Sequence, residues 1–184
     1  MGMRDEEEED APDGATVARL VGDLSPRARD LALQGVTAAR AADAGDPFGY
    51  LGGLVNMRAL ESDDDDDDNG DAVLAMDVTP NALNRYGYVH GGMLFTLADY
   101  AMGATARRLA GEEARAVTLE AKANYLTNVT EGGVIARCTA LHQTEHLIAL
   151  ETRITDAATD ALMMVVTGTY YIIPQETDDA DGDG

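Results

Sequence analysis

One acidic residue stands inside a long apolar segment, where a carboxylate is unexpected. Asp99 has Phe95 and Thr96 behind it and Met102 and Gly103 ahead of it at helical spacing. Burying a carboxylate is unfavourable unless it is paired or lines a polar cavity, and this kind of desolvation prepares acid–base groups for catalysis. Asp99 is therefore either a structural acid bonded to the backbone or a catalytic group, and the residue alone favours neither.

The turn before this segment offers a complementary group. His90-Gly91-Gly92 opens the predicted helix, and the glycines carry no side chain that would cover its first amide groups. Free amides at a helix N-terminus, with the helix dipole behind them, bind negative charge. They suit a carbonyl oxygen that becomes an oxyanion when its carbon is attacked. A tight entry turn would also explain the glycines.

The spacing of these two groups predicts an oligomer. Gly91 and Asp99 are eight residues apart, which separates them by about 12 Å along one helix. One helix therefore cannot bring both groups to the same carbonyl carbon. If they act together, they come from different subunits, as in two antiparallel helices related by a two-fold axis. The catalytic interpretation requires an obligate homodimer.

The central domain that must position them is predicted over residues 47–174. One long helix, Gly91 to about Leu109, is apolar on all sides and is expected to be buried. Two strand-like runs precede it, with Asn69-Gly70 as a hairpin signal between them, and four follow it. These runs are about 53–60, 72–78, 117–125, 134–141, 147–155 and 161–173. The order excludes a doubly wound parallel fold and predicts an α+β domain whose antiparallel sheet wraps around the central helix.

Alternation also predicts which strand residues face the core. Residues Val117, Leu119, Ala121, Ala123 and Tyr125 alternate with polar residues and are predicted to form one buried face. Cys138 lies in an apolar strand-like run, which is more typical of a core residue than of a nucleophile.

Acidic ends and a helical prefix flank the domain. Residues 1–14 and 175–184 combine dense like charge with little apolar content, and we expect both to be disordered. Residues 15–46 have a helical pattern in which Ser25-Pro26 is typical of an N-cap and first-turn proline. An apolar stripe would pack this prefix on the domain, formed by Leu31, Leu33 and Val36.

Composition limits the function classes. The net charge is -21, and the 13 basic residues include a single lysine, Lys122. General electrostatics therefore disfavour nucleic acid and anionic membranes as partners. No membrane span or signal peptide is predicted, so we expect a cytoplasmic protein. An ordinary acidic protein would fit, but the near-absence of lysine favours a halophile, where molar salt shortens the Debye length to about 3 Å.

No metal or other cofactor is expected. The aspartate run Asp63–Asp68 offers adjacent carboxylates without fixed geometry, which is typical of a solvated loop. His142 and His146 flank a turn but lack the further ligands of a metal site.

The residues around Asp99 resemble a known family. Asn84-Arg85-Tyr86-Gly87-Tyr88-Val89-His90-Gly91-Gly92, followed by Leu97-Ala98-Asp99, is similar to the Asn-x-x-Gly-x-x-His-Gly-Gly…Leu-Ala-Asp signature of hotdog-fold thioesterases of the phenylacetate-degradation (PaaI-like) type. The strand Ala116–Leu126 and the ending Val166–Tyr170 are also similar, and the resemblance covers about residues 47–173. It implies the hotdog fold and hydrolysis of an acyl-CoA to a free acid and CoA.

The resemblance also implies residue roles. Asp99 would be the base for a water or the nucleophile, and Thr118 would assist it. The Gly91 amide would polarise the thioester carbonyl, His90 would position the turn or the thioester, and Asn84 would orient the water or the carbonyl. Asp99 and Thr118 would face the other three across a dimer interface, and we expect these dimers to pair as a homotetramer. The expected substrate-binding residues are Gly92, Tyr86, Tyr88, Met93 and Tyr125, the last four as acyl-pocket candidates.

Two alternatives remain open. A non-catalytic acyl-CoA-binding or regulatory hotdog protein would not need both Asp99 and Asn84, so their presence favours the enzyme. A dehydratase on the same fold is a weaker third candidate. The chain also departs from many relatives in having Thr127-Asn128 where they carry Arg-Pro.

Overall fold

Four α-helices, one short 3-10 helix (Pro80–Ala82) and six strands form the part of the chain that the computed structural model describes, residues 13–60, 71–111 and 114–173. The helices are α1 (Gly14–Gly22), α2 (Pro26–Asp43), α3 (Gly49–Leu54) and α4 (Gly91–Ala110). The strands are β1 (Arg58–Ala59), β2 (Ala72–Asp77), β3 (Arg115–Tyr125), β4 (Gly133–Gln143), β5 (Leu147–Asp156) and β6 (Leu162–Ile173). The aspartate run and nearly all of the two acidic ends lie outside these described residues.

The six strands form one antiparallel sheet in the order β1-β2-β4-β5-β6-β3. Helix α4 packs against the inner face of this sheet, which confirms the predicted sheet around one long helix. Cys138 on β4 is buried in the same core, as its apolar surroundings predict. The buried residues of α4 are Leu94, Leu97, Ala98, Ala101, Met102, Thr105 and Ala106. This burial fixes the faces that α4 can present to a ligand.

Helix α4 has well-defined ends. His90 caps its first turn, and Gly111 follows its last residue with φ +99°, a backbone conformation that favours glycine. Arg107 and Arg108 occupy the last turn, where cations complement the helix dipole. None of the described helices is long and apolar enough to cross a membrane.

A bulge in β3 overturns the predicted buried face of that strand. The pairing of β3 with β6 shifts register between Thr118 and Glu120, and an extra residue in one strand reverses the side-chain alternation beyond it. Val117 and Leu119 are consequently 44% and 57% exposed rather than buried. The same shift turns Thr118 toward the helix, while Ala121 and Ala123 keep their predicted inward orientation.

The prefix is helical as predicted, but its apolar stripe is not buried. Ser25 caps α2 with Pro26 in the first turn, as the sequence indicates. Leu33 and Val36 are 55% and 50% exposed, and the buried residue of α2 is Ala38. A polar contact instead anchors α2: Gln34 donates to the Leu54 carbonyl at 2.7 Å and accepts from Asn81 at 2.7 Å.

The first predicted strand, Gly53–Leu60, is mostly not a strand. Residues 49–54 form α3, because its glycines allow the close approach of α2: a Cβ on Gly53 would lie 3.1 Å from the Cα of Ala38. Only Arg58–Ala59 forms β1, and it pairs antiparallel with β2. The antiparallel pairing of the first two strands is therefore as predicted, with a shorter first strand, whereas the turn predicted at Asn69-Gly70 lies outside the described residues.

Candidate active site

Helix α4 starts with a histidine cap and one uncovered glycine amide. The Nδ1 atom of His90 accepts a hydrogen bond from the Gly92 amide at 3.0 Å. The Gly92 amide is therefore occupied, which corrects the expectation that the first amides are all free. The Gly91 amide makes no hydrogen bond within the described chain, so it is the donor left for a ligand.

Tyr125 explains why residue 91 is glycine. Its ring lies 3.0 Å from the position that a Cβ would take at Gly91, and its hydroxyl donates to the Gly91 carbonyl at 3.3 Å. Any side chain at residue 91 would displace this ring. The Tyr125 side chain itself is more than half exposed, so it forms part of the surface beside the uncovered amide.

Asn84 organises the loop that leads into α4. Its Oδ1 accepts hydrogen bonds from the amides of Tyr86 at 2.8 Å and Tyr88 at 3.2 Å. Gly87 has φ +82° in this turn and donates to the Asn84 carbonyl at 3.0 Å. The Asn84 oxygen is thus used to hold the loop, and its Nδ2 group is the part that can still donate.

Asp99 lies in the third turn of α4 and is held by two hydroxyl groups. Its Oδ1 accepts a hydrogen bond from the Tyr170 hydroxyl at 2.5 Å and another from the Thr118 hydroxyl at 3.0 Å. Tyr170 comes from β6 and Thr118 from β3, which are paired directly at these two residues. Oδ2 has no hydrogen-bond partner within the described residues and is available to a water or a substrate.

The Tyr170 phenol is a permanent donor to this carboxylate. The residue is only 2% exposed, and burial raises the pKa of the Tyr170 phenol well above its ordinary value, an effect that the hydrogen bond to Asp99 reinforces. The same hydroxyl also lies 3.1 Å from the Asp99 carbonyl. A buried phenol that keeps its proton fixes the orientation of the carboxylate and stabilises its negative charge.

A cavity of about 330 Å³ opens beside this carboxylate. Its lining residues are Pro47, Asp99, Tyr100, Gly103, Arg107, Ala116, Thr118 and Tyr170. The cavity is therefore lined by a carboxylate with one free oxygen, three side chains that carry hydroxyl groups and a cation. Such a set can activate a water or attack an electrophilic carbon.

The predicted site residues fall into two groups. Asp99, Thr118 and Tyr170 form one, which we call the acid half-site. Asn84, His90 and Gly91 form the other, the amide half-site, at the N-terminal end of α4. Within one chain the two half-sites are separated along the helix axis by about 12 Å. The predicted substrate-binding residues lie beside the amide half-site: Gly92, Tyr86, Tyr88, Met93 and Tyr125.

Tyr170 is the site residue that sequence reasoning did not single out. The alternation of β6 places it on the buried face, with Gly168 and Val166. A hydroxyl among buried apolar residues needs a hydrogen-bond partner. This requirement could have marked Tyr170 as a candidate site residue. The sequence does not identify which residue of α4 this partner is.

Comparisons with known proteins agree with this architecture. Residues 86–161 match the family model of the Thioesterase superfamily. A 1,4-dihydroxy-2-naphthoyl-CoA hydrolase of Listeria monocytogenes is 31% identical over 103 residues, which make up 56% of this chain and 83% of that protein.

Solved structures share the fold. A Bacillus halodurans protein solved with CoA superposes with a TM-score of 0.74 at 21% identity, over 86% of this chain and 99% of that one. The PaaI protein of the E. coli phenylacetic acid degradation operon has a TM-score of 0.61 at 22% identity, over 77% of this chain and 96% of that one. Together with the match to the Listeria hydrolase, these findings show that the chain belongs to the thioesterase superfamily and is a thioester hydrolase with the hotdog fold.

Proposed function

We propose that this thioester hydrolase acts on an acyl-CoA, with Asp99 as the catalytic carboxylate. The observation that carries the proposal is the environment of Asp99. One carboxylate oxygen is held by Tyr170 and Thr118, while the other has no partner among the described residues. A catalytic carboxylate needs an oxygen that can reach the substrate, and Asp99, with one unpartnered oxygen, lines the cavity.

The proposed reaction uses the two half-sites on opposite sides of the thioester. The free oxygen of Asp99 takes a proton from a water, whose oxygen attacks the carbonyl carbon, or it attacks that carbon itself. The Gly91 amide donates to the carbonyl oxygen as negative charge develops there. The C–S bond then breaks, and the CoA thiolate leaves and takes up a proton. When water is the nucleophile, this step gives the free acid directly. When Asp99 is the nucleophile, it leaves an acyl anhydride on Asp99, and a water must hydrolyse this anhydride to release the free acid and restore the carboxylate.

A second copy of the chain would bring the half-sites together. Strand β3 is at the end of the sheet and, in the described chain, pairs only with β6. It is 11 residues long and exposes the apolar side chains of Val117 and Leu119. An exposed edge of this length invites pairing with another chain. We therefore propose a homodimer through β3, and a tetramer formed from two such dimers.

The assignment of the amide half-site follows from the same proposal. His90 acts as a positioning residue, because its Nδ1 is already engaged by the Gly92 amide. Asn84 uses its Nδ2 group to orient the water or the carbonyl. Tyr86, Tyr88 and Tyr125 are at least 46% exposed in the single chain, and a substrate bound between subunits would cover them.

We propose a PaaI-like enzyme from a halophile, acting in the cytoplasm. The motif from Asn84 to Asp99 supports the PaaI-like type. The net charge of -21 with a single lysine supports a salt-rich cell interior.

The test is the exchange of one carboxylate for an amide. We expect Asp99→Asn to lower kcat for acyl-CoA hydrolysis by about 10²- to 10⁴-fold, the usual effect of losing a general base, with an unchanged circular dichroism spectrum. Glu120→Gln is the matched control: this carboxylate, on β3, also accepts a hydrogen bond from a threonine hydroxyl, that of Thr169 at 2.8 Å, but it does not line the cavity. Near wild-type turnover by Asp99→Asn would remove the carboxylate from the mechanism.

A further inference from the structure

The helical prefix carries apolar side chains that the fold leaves uncovered. Val17 and Leu20 lie one turn apart on the same side of α1, and Leu24 follows the end of that helix. These three residues are 44%, 54% and 37% exposed. Within the described chain, α1 has no buried residue. A group of apolar residues exposed in this way is typical of a surface that binds another molecule.

Helix α2 exposes apolar residues on the side that faces away from the domain. Its domain-facing side is identified by Ala38, which is buried, and by Gln34, whose side chain hydrogen-bonds to α3 and to the 3-10 helix. Leu33 and Val36 lie away from these contacts, and each is at least 50% exposed. Most of the stripe that the sequence predicts to pack on the domain therefore faces solvent in the single chain.

Arg29 connects the exposed side of α2 to the end of α1. It lies one turn before Leu33 on α2. Its guanidinium donates to three backbone carbonyls at the end of α1, those of Val21 at 3.4 Å, Gly22 at 2.8 Å and Leu24 at 3.4 Å. The apolar residues of the two helices therefore border one another. We call them together the prefix surface: Val17, Leu20, Leu24, Leu33 and Val36.

A helix as short as α1 needs further contacts to stay folded. It has nine residues, and isolated helices shorter than about 12–15 residues are only marginally stable in water. Asp13 caps its first turn by accepting a hydrogen bond from the Thr16 amide at 2.7 Å, and Arg29 caps its last turn. These caps stabilise the ends alone, so α1 becomes more stable when another surface covers its apolar side.

The charge of the two helices identifies the partner. Together α1 and α2 carry four arginines and three aspartates, a net charge of +1, whereas the whole chain has a net charge of -21. Like-charged surfaces repel one another, so two copies of this chain approach most easily where each copy is nearly neutral. The mixture of arginines and aspartates also allows ion pairs in both directions across a two-fold contact.

We propose that the prefix surface binds the prefix surface of a second copy and thereby joins two β3 dimers into a tetramer. The inference rests on the proposed function, in which β3 forms the dimer. Five apolar residues are far fewer than the roughly 20–30 residues a side of a stable interface, so one such contact between two single chains is weak. Two dimers make two of these contacts at once, and the second contact is strengthened because the first already holds the dimers together.

The proposed contact is separate from the chemistry. None of its five residues lines the cavity beside Asp99, and none belongs to either half-site. A β3 dimer already contains both half-sites, so each site remains complete when the tetramer separates into dimers. Loss of the contact should therefore change the assembly and leave the turnover of each chain unchanged.

The test is the mass of the assembly in molar KCl, measured by sedimentation equilibrium. Leu20→Glu and Leu33→Glu each place a carboxylate on a residue that is more than half exposed, so both variants should fold with an unchanged circular dichroism spectrum. We expect the wild type to contain four chains and each variant to contain two, with an unchanged kcat per chain. Ala15→Glu is the matched control, because it adds the same charge to an exposed residue on the other side of α1 and should leave four chains together.

Several outcomes would overturn the proposed contact. A wild type with fewer than four chains would mean that the prefix surface does not bind a second copy. Variants that keep four chains would place the contact between dimers elsewhere, and variants that fall to one chain would place the prefix in the dimer interface. Equal dissociation of Ala15→Glu would show that added charge alone separates the dimers. A wild type that assembles as expected but hydrolyses no acyl-CoA would instead contradict the proposed function.

Discussion

The Tyr170 hydroxyl donates a 2.5 Å hydrogen bond to Oδ1 of Asp99, linking β6, the last strand in the chain, to the third turn of the central helix. The contact spans 71 residues of sequence, and the phenol that makes it is almost completely buried. It leaves the carboxylate with one engaged and one free oxygen. The orientation of the proposed catalytic group thus depends on the correct docking of α4 against β6.

Removing this hydroxyl should impair catalysis without creating a large cavity in the core, because the ring stays in place. We expect Tyr170→Phe to lower kcat roughly tenfold to hundredfold, because a hydrogen bond to a charged group contributes about 1.5–3 kcal/mol. Steady-state kinetics with an acyl-CoA measure the effect. Tyr171→Phe is the control, since the neighbouring hydroxyl is on the opposite face of β6. If both variants keep wild-type kcat, the phenol does not position Asp99.

The same phenol should make the fold sensitive to alkaline pH. Burial raises the pKa of Tyr170 in the folded protein above its ordinary value, so the unfolded chain loses this proton first as the pH rises. Stability is therefore fully present below about pH 10, the unfolded value, and decreases above it by up to about 1.4 kcal/mol per pH unit.

Urea unfolding between pH 8 and about pH 11 would measure this decrease. Because Phe cannot ionise, the free energy of unfolding of Tyr170→Phe should fall less steeply than that of the wild type. Parallel slopes for the two proteins would show that the phenol has no raised pKa in the fold.

The sequence predicts the position of Asp99 better than its surroundings, whereas the alternation of β3 places Thr118 on the wrong face and only the family resemblance assigns it to the site. Hydrophobic periodicity identifies α4 as the buried helix, and a carboxylate within it is conspicuous. The bulge at Leu119 cannot be read from the sequence, because the apolar alternation continues through it unbroken. The partner of Tyr170 is equally hidden, because register and helix docking, rather than local pattern, bring it to Asp99. The cap on Gly92 depends on the rotamer of His90, which the sequence does not determine.

A shared active site predicts recovery of activity in mixed dimers. Asp99→Asn and Asn84→Asp homodimers should each be nearly inactive, while a heterodimer of the two contains one intact site and should have about half the wild-type activity. Asn84→Asp is chosen because it keeps the Oδ1 acceptor for the Tyr86 and Tyr88 amides and removes the Nδ2 donor.

Differentially tagged protomers, purified as verified heterodimers, provide the measurement. Heterodimers as inactive as either parent would mean that both half-sites act within one chain, contrary to the helix spacing. Activity in the Asn84→Asp homodimer close to the wild-type level would show that the asparagine serves only the loop.

The β3 edge is expected to hold the dimer together. Leu119→Glu places a charge on an exposed apolar position of this edge, and two such charges would meet near the two-fold axis. We expect dissociation to monomers in light scattering and a corresponding loss of hydrolysis. Leu141→Glu is the control, because Leu141 on β4 is similarly exposed at 58% but is away from this edge. A Leu119→Glu protein that stays dimeric would place the interface elsewhere.

High salt should be required for the folded state. The ion pairs of the described chain, such as Arg58–Asp77 and Arg153–Glu151, have partly exposed side chains, and such pairs contribute little stability. They cannot compensate a net charge of -21, so the carboxylates repel one another unless ions screen them. We expect loss of secondary structure and activity on dialysis from molar KCl to about 50 mM, where the Debye length exceeds 10 Å.

Sucrose at equal osmolality is the control. It strengthens the burial of apolar surface but does not screen charge, so it should not restore secondary structure or activity. Full activity at low salt would contradict the halophilic origin.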